Sequence, residues 1–149
     1  MRVVQVSTER AFRGGEQQLL LLLQGLAAER PDVEASVVAQ PGSALAERAH
    51  AAGVPVTEIA MGAALDLGAT RRLRAHLREA QPDVVHAHTA HAHGHAWRAL
   101  RALGASRPRL LVTRHVAYSI FRHSFLRLNR RKYVRGCDQI LCVSRAVER

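Results

Sequence analysis

Short apolar runs alternate with longer amphipathic segments along the chain. Arg2–Ser7 is short, rich in valine and followed by a polar break, which predicts a buried strand. Thr8–Arg13 predicts a loop. Gly14-Gly15 then opens a helix that continues through five leucines, Leu19–Leu23, to about Glu29. Those leucines cover more than one helical face, which predicts packing on two sides. Pro31-Asp32 ends the helix, and Glu34–Gln40 predicts a second strand. Pro41-Gly42-Ser43 is a turn whose serine suits the N-cap of a helix over Ala44–Ala52, with Gly53 just past its end. Val54–Ile59 predicts a third strand, and Pro55 marks a strand start or a sheet edge. A loop over Gly62–Gly68 leads into a helix over Ala69–Ala80, with Leu73 and Leu77 on one face and arginines opposite.

The second half repeats the alternation. Asp83–His88 predicts a fourth strand, Ala92–Leu103 a helix, Leu110–Thr113 a fifth strand and Gln139–Val143 a sixth. Tyr118–Arg135 contains a further helix, with Phe121, Phe125 and Leu128 on one stripe. Strands alternating with helices predict an α/β, Rossmann-like, doubly wound fold. Its sheet is mostly parallel, of six or seven strands, with helices on both faces. Ligands of such sheets bind beyond the carboxyl ends of the strands, near the switch in strand order. Three segments converge on that rim: Gly14-Gly15, His88–His95 and Arg114-His115.

Composition narrows the function classes. The 149 residues fit one domain, and the longest apolar run is far short of a membrane span. The N-terminus lacks the apolar core of a signal peptide, so a cytoplasmic location is the default expectation. Cys137 and Cys142 are read as free thiols in a reducing compartment. The net charge of +10 is unevenly placed: ten of the twelve carboxylates precede Val84, and none lies between Val84 and Cys137. That field favours anionic partners. Arg127, Arg130, Arg131, Lys132 and Arg135 form a basic face opposite the Phe121 stripe. It reads as a solvated helix face or as a patch for an anionic membrane surface. Nucleic acid is not expected, because aromatic content is 4% and no recognised module is present.

Five of the nine histidines fall between His86 and His95. Either this is a metal-binding tract, or it is a buried strand running into a ligand loop. No H-E-x-x-H is present, and no cysteine or carboxylate lies nearby to complete a zinc set, so no metal is expected. On that reading one or two imidazoles line a pocket and the others are solvated. Gly14-Gly15 has two readings: backbone approach to a ligand at a helix N-terminus, or a tight turn that needs positive φ. His115, at the end of strand five, is suited as a base or as a partner for a substrate hydroxyl.

Four motifs in order carry a family resemblance: Arg13-Gly14-Gly15-Glu16 after the opening strand, Pro82-Asp83-Val84-Val85-His86-Ala87-His88, Val112-Thr113-Arg114-His115, and Ile140 to Ser144. In these the chain resembles the N-terminal half of retaining GT-B glycosyltransferases of family GT4. The resemblance implies two Rossmann-like domains facing across a cleft. The half over residues 1–149 would serve the acceptor. A C-terminal domain, absent from this chain, would bind a nucleotide-diphosphate sugar and carry an E-x7-E motif. It further implies that His115 is the active-site histidine. Gly14, Gly15, His88 and Thr89 would bind substrate, with Arg114, Tyr118 and Ser119 placing the acceptor, and no metal or other cofactor would be needed. Glu16 follows the glycines directly, where the family spaces it by one residue, so no role carries over to it. The expected acceptor is a glycan, lipid or small molecule, reached from the inner face of the membrane. Without its second half the chain is expected to transfer no sugar. The alternatives are a non-catalytic module that binds an anion or a metal, and one half of a sugar-nucleotide epimerase of the same architecture.

Overall fold

A computed structural model describes residues 1–104, 107–115 and 133–145. In chain order the elements are β1 (Arg2–Val6), α1 (Gly14–Glu29), β2 (Glu34–Ala39), α2 (Ala44–Ala51), β3 (Val56–Glu58), α3 (Leu67–Ala80), β4 (Val84–Ala87), α4 (Ala90–Arg101), β5 (Arg109–Arg114) and β6 (Gln139–Cys142). The six strands form one sheet in the order β3-β2-β1-β4-β5-β6, and every pairing is parallel. This is the doubly wound order, in which the chain starts mid-sheet, winds outward, and returns to the far side of β1. The switch point therefore lies between β1 and β4.

Strand side chains alternate between the two sheet faces, and that alternation divides the core. Val4, Val6, Val85, Ala87, Leu110 and Val112 point to one face, where Leu73 and Leu77 of α3 and Ala96 and Leu100 of α4 cover them. Val37 and Ala39 point to the other, where Leu19 and Leu23 of α1 and Leu45 and Ala49 of α2 pack. Over β1, β4 and β5 that second face is not apolar. It carries Gln5, His86 and Thr113, with Gln5 level with His86 across the β1–β4 ladder. The polar ground of the sheet thus lies beside the switch point.

Local chemistry sets the element ends. Ser43 Oγ accepts the Ala46 N–H, Asp66 Oδ1 the Ala69 N–H and Thr89 Oγ1 the Ala92 N–H, so each caps a helix start. Two of these helices begin earlier than their apolar pattern shows: α3 at Leu67, because Asp66 is its cap, and α4 at Ala90, because Thr89 is. Two-sided packing of α1 is not found. Leu19 and Leu23 are buried, whereas Leu21 is 57% exposed, because successive leucines advance about 100° round the axis and only one stripe meets the sheet. β3 starts at Val56 on the sheet edge, and the Pro55 carbonyl still accepts the Val37 N–H. Of the basic helix expected over 118–135, only residues 133–135 fall among those described, and they are helical. Cys137 and Cys142 are free thiols. No helix among the described residues is long and apolar enough to cross a membrane.

Candidate functional site

A cleft of about 420 Å³ opens at the carboxyl ends of β1, β4 and β5. His88, Thr89 and Ala90 line it from the β4–α4 turn. Thr113, Arg114 and His115 do so from the end of β5, with Glu9, Arg13, Gly15 and Glu16 contributed by the loop and helix after β1. Because β1 and β4 are neighbours at the switch point, their two connections diverge to opposite faces and leave the space between them. Thr8 Oγ1 and Thr89 Oγ1 lie 2.6 Å apart and fasten one connection to the other.

Imidazoles form the floor: His88 and His115 line the cleft, and the His86 ring packs against His88. The His86 and His88 rings lie 4.1 Å apart, and His88 stacks on His115 at 6.1 Å. All three are disposed to stay neutral. Burial, reinforced by His115, pushes His86 from 6.5 down to about 4. Burial holds His88 well below its usual range, with His86 and His115 adding repulsion. Burial lowers His115 as well, while the Glu16 carboxylate pulls the other way. His86 Nε2 is 2.7 Å from Thr113 Oγ1, and His88 Nε2 is 2.8 Å from Gln5 Oε1. Among the described residues His88 Nδ1 and His115 Nε2 are buried with no hydrogen-bond partner. An unmade buried hydrogen bond costs about 1–3 kcal/mol, and both of these rings line the cleft.

The glycines behave differently from one another. Neither has positive φ, so the tight-turn reading does not hold for them. Gly14 is exposed at the start of α1, and a Cβ there would meet nothing. Gly15 backs directly onto the His115 ring. Glu16, which carried no expectation, is buried; its Oε2 accepts the Arg13 N–H at 3.1 Å and closes the first turn of α1. An acid three residues after the N-cap position, Arg13, was the sequence signal for it. For Gln5 the signal was a lone amide inside a valine strand.

Beyond the cleft, the histidine-rich stretch departs from expectation. His91 is exposed, but His93 and His95 are fully buried in α4 rather than solvated. His93 packs edge-on to Tyr133 at 4.8 Å, and its Nε2 donates to the Gly136 carbonyl. His95 Nε2 donates to the Ala63 carbonyl at 3.0 Å, and Arg98 donates to that of Ala64, which ties the β3–α3 loop to α4. These are packing histidines. Among the described residues no group of three or more His, Cys, Asp or Glu is placed to hold a metal ion. Arg135 is exposed at the opposite rim, beside a cavity of about 370 Å³ with Trp97, Arg101 and Arg107. Tyr118, Ser119, Arg127, Arg130, Arg131 and Lys132 lie outside the described residues.

A family model described as Glycosyltransferase Family 4 matches residues 12–149. No curated protein matches the sequence. Among solved structures, Anabaena Alr3699/HepE in complex with UDP and glucose superposes with a TM-score of 0.76 at 18% identity, covering 98% of this chain and 39% of that one. The lipopolysaccharide outer core galactosyltransferase WaaB gives 0.72 at 13% identity, covering 99% and 41%. A UDP-N-acetylglucosamine 2-epimerase gives 0.68 at 15%, covering 99% and 43%. At these identities the likeness is one of fold. The chain spans about two fifths of the length of each of these solved proteins.

Proposed function

Because the chain belongs to Glycosyltransferase Family 4 and folds as the N-terminal half of a GT-B enzyme, we propose that it is the acceptor-side domain of a transferase that moves a hexose from a nucleotide diphosphate onto a glycan, lipid or small-molecule acceptor. The observation that carries this reading is the meeting of His115, His88, Thr89 and Gly15 in one cleft at the β1–β4 switch point. His115 orients a hydroxyl of the transferred sugar with a neutral ring. The start of α1 and the guanidinium groups of Arg13 and Arg114 face the leaving diphosphate, whose growing charge they stabilise. Arg114 sits over the Tyr133 ring at 5.5 Å, which sets its direction. The donor is gripped mainly by a second domain, so this half alone transfers no sugar. The basic run from Arg127 to Arg135 holds the enzyme against an anionic membrane surface, where a lipid acceptor would lie.

The test is transfer by the complete two-domain protein. His115→Ala is expected to lower turnover by roughly a hundredfold or more, in line with the loss of a positioned catalytic group, while the melting temperature changes little. Near-normal turnover overturns the assignment. Sugar transfer by the 149-residue chain alone overturns the division of labour. An epimerised nucleotide sugar, formed with no acceptor present, favours the epimerase reading, which the fold likeness to the 2-epimerase keeps in play.

A further inference from the structure

The floor of the cleft holds a hydrogen-bonding atom that nothing described in the chain uses. His88 Nε2 lies 2.8 Å from Gln5 Oε1. A carboxamide oxygen only accepts, so the proton of neutral His88 sits on Nε2 and the lone pair on Nδ1. That Nδ1 is buried without a partner among the described residues. The residue is 6% exposed, yet its ring lines the cleft and stacks on His115. Gln5 is itself 1% exposed and held in the middle of β1, so the ring is fixed from below by a rigid strand.

A bare imidazole nitrogen takes a donor and refuses an acceptor. An ionised phosphate or carboxylate presents only acceptor oxygens. Turning Nδ1 into a donor would mean charging the ring, with His86 and His115 close on either side. The cleft is therefore divided by chemistry: guanidinium groups of Arg13 and Arg114 toward anions, imidazole toward hydroxyls.

We propose that His88 is a specificity-determining residue of this cleft, locked by Gln5 as the Nε2–H tautomer so that Nδ1 accepts the hydroxyl proton of a sugar or polyol. The identity of the ligand rests on the transferase reading, whereas the state of the ring does not. Gln5 is a positioning residue that acts through His88. The hydroxyl belongs either to the transferred sugar or to a polyhydroxylated acceptor.

Long-range proton–nitrogen NMR of the histidine-labelled 149-residue chain tests both parts. At pH 7 His88 is expected to carry its proton on Nε2 alone. Gln5→Leu is expected to give a mixture of the two tautomers in a chain whose amide spectrum remains folded. UDP-glucose should shift the Nδ1 resonance upfield and UDP alone should not, if the hydroxyl is the donor's. A shift with glucose alone assigns it to a free polyol. His88→Gln, whose amide reaches the Nε2 position, keeps Gln5 but should weaken the sugar-bearing probe roughly tenfold. His88→Asn, whose amide oxygen reaches the Nδ1 position, should retain most of the affinity. A proton found on Nδ1 overturns the tautomer lock. An Nδ1 unmoved by all three probes in the complete two-domain protein, as well as in the 149-residue chain, overturns the hydroxyl role. Failure of the complete protein to transfer sugar counts against the transferase reading and leaves the tautomer result standing.

Discussion

A Cβ built on Gly15 would sit 3.6 Å from Cγ and Cδ2 of His115. That is ordinary van der Waals contact, so glycine here is not forced by the fold. It leaves a methyl-sized space between the first turn of α1 and the imidazole. Gly15→Ala is therefore expected to raise stability by up to about 1 kcal/mol, because alanine is the better helix former. The same methyl group narrows the approach to His115, so transfer by the complete protein should fall. Melting curves and transfer rates on one variant check the opposed signs. A Gly15→Ala protein that is both more stable and fully active shows that the space is not used.

The imidazole floor predicts an acid-sensitive fold. His86 titrates near 6.5 when unfolded and near 4 when folded, so the unfolded chain binds the extra proton between those values. Stability from this group is complete above about 6.5 and falls as pH drops toward 4, by on the order of 3 kcal/mol in all. His88 acts in the same direction. Urea unfolding at pH 7.5, 6 and 5 should show the decline. His86→Gln, whose amide can still meet Thr113 Oγ1, should flatten it. An unchanged midpoint across that range contradicts the buried neutral ring.

The alternation of short apolar runs with longer amphipathic segments was enough to give the sheet, because buried parallel strands read as brief runs rich in valine or leucine between polar breaks. It was not enough for α1, where five consecutive leucines hide which stripe faces inward. It also misjudged His93 and His95. A histidine-rich segment reads as solvated, but in α4 the imidazoles replace aliphatic side chains by donating to the Gly136 and Ala63 carbonyls. Of the site, Gly15, His88, Thr89, Arg114 and His115 were legible, since each sits just past a strand end or at a helix start. Gln5, Thr8 and Thr113 were not. Their places depend on which strands are neighbours and in what register, and that is set by long-range pairing.

One carboxylate fastens the start of the β5–β6 ladder. Asp138 accepts two bonds from the Arg107 guanidinium, at 2.7 and 2.8 Å, and one from the Leu110 N–H at 2.7 Å. The arginine hydrogen bonds hold its pKa at about 2. Both side chains are about a third exposed, so solvent screens the ion pair and the backbone bond matters more. Asp138→Ala is expected to cost about 1–2 kcal/mol and Asp138→Asn about half of that, since asparagine can still accept from Leu110. Chemical denaturation in low and high salt separates the two contributions. Equal losses for both variants would place the whole effect in the ion pair.

Gln40 joins three of the connections at the carboxyl end of the sheet. Its Nε2 donates to the Thr8 carbonyl at 3.2 Å and to the Met61 carbonyl at 2.7 Å, and its Oε1 accepts the Met61 N–H at 3.0 Å. The loop after β1 is thereby tied to the loops after β2 and β3, at a side chain only 3% exposed. Gln40→Leu fills the space but strands the three backbone groups, and is expected to cost about 2–4 kcal/mol. Gln40→Glu should be pH dependent in the opposite sense to His86. A buried carboxyl facing two carbonyls is favoured when protonated, so its folded-state pKa lies above the unfolded value and the protein loses stability as pH rises. Between pH 5 and 8 the Gln40→Glu protein should therefore weaken, while the wild-type chain gains stability from pH 5 to about 6.5 and then holds level. Parallel pH profiles for the two proteins would show that Gln40 does not hold these loops through its amide.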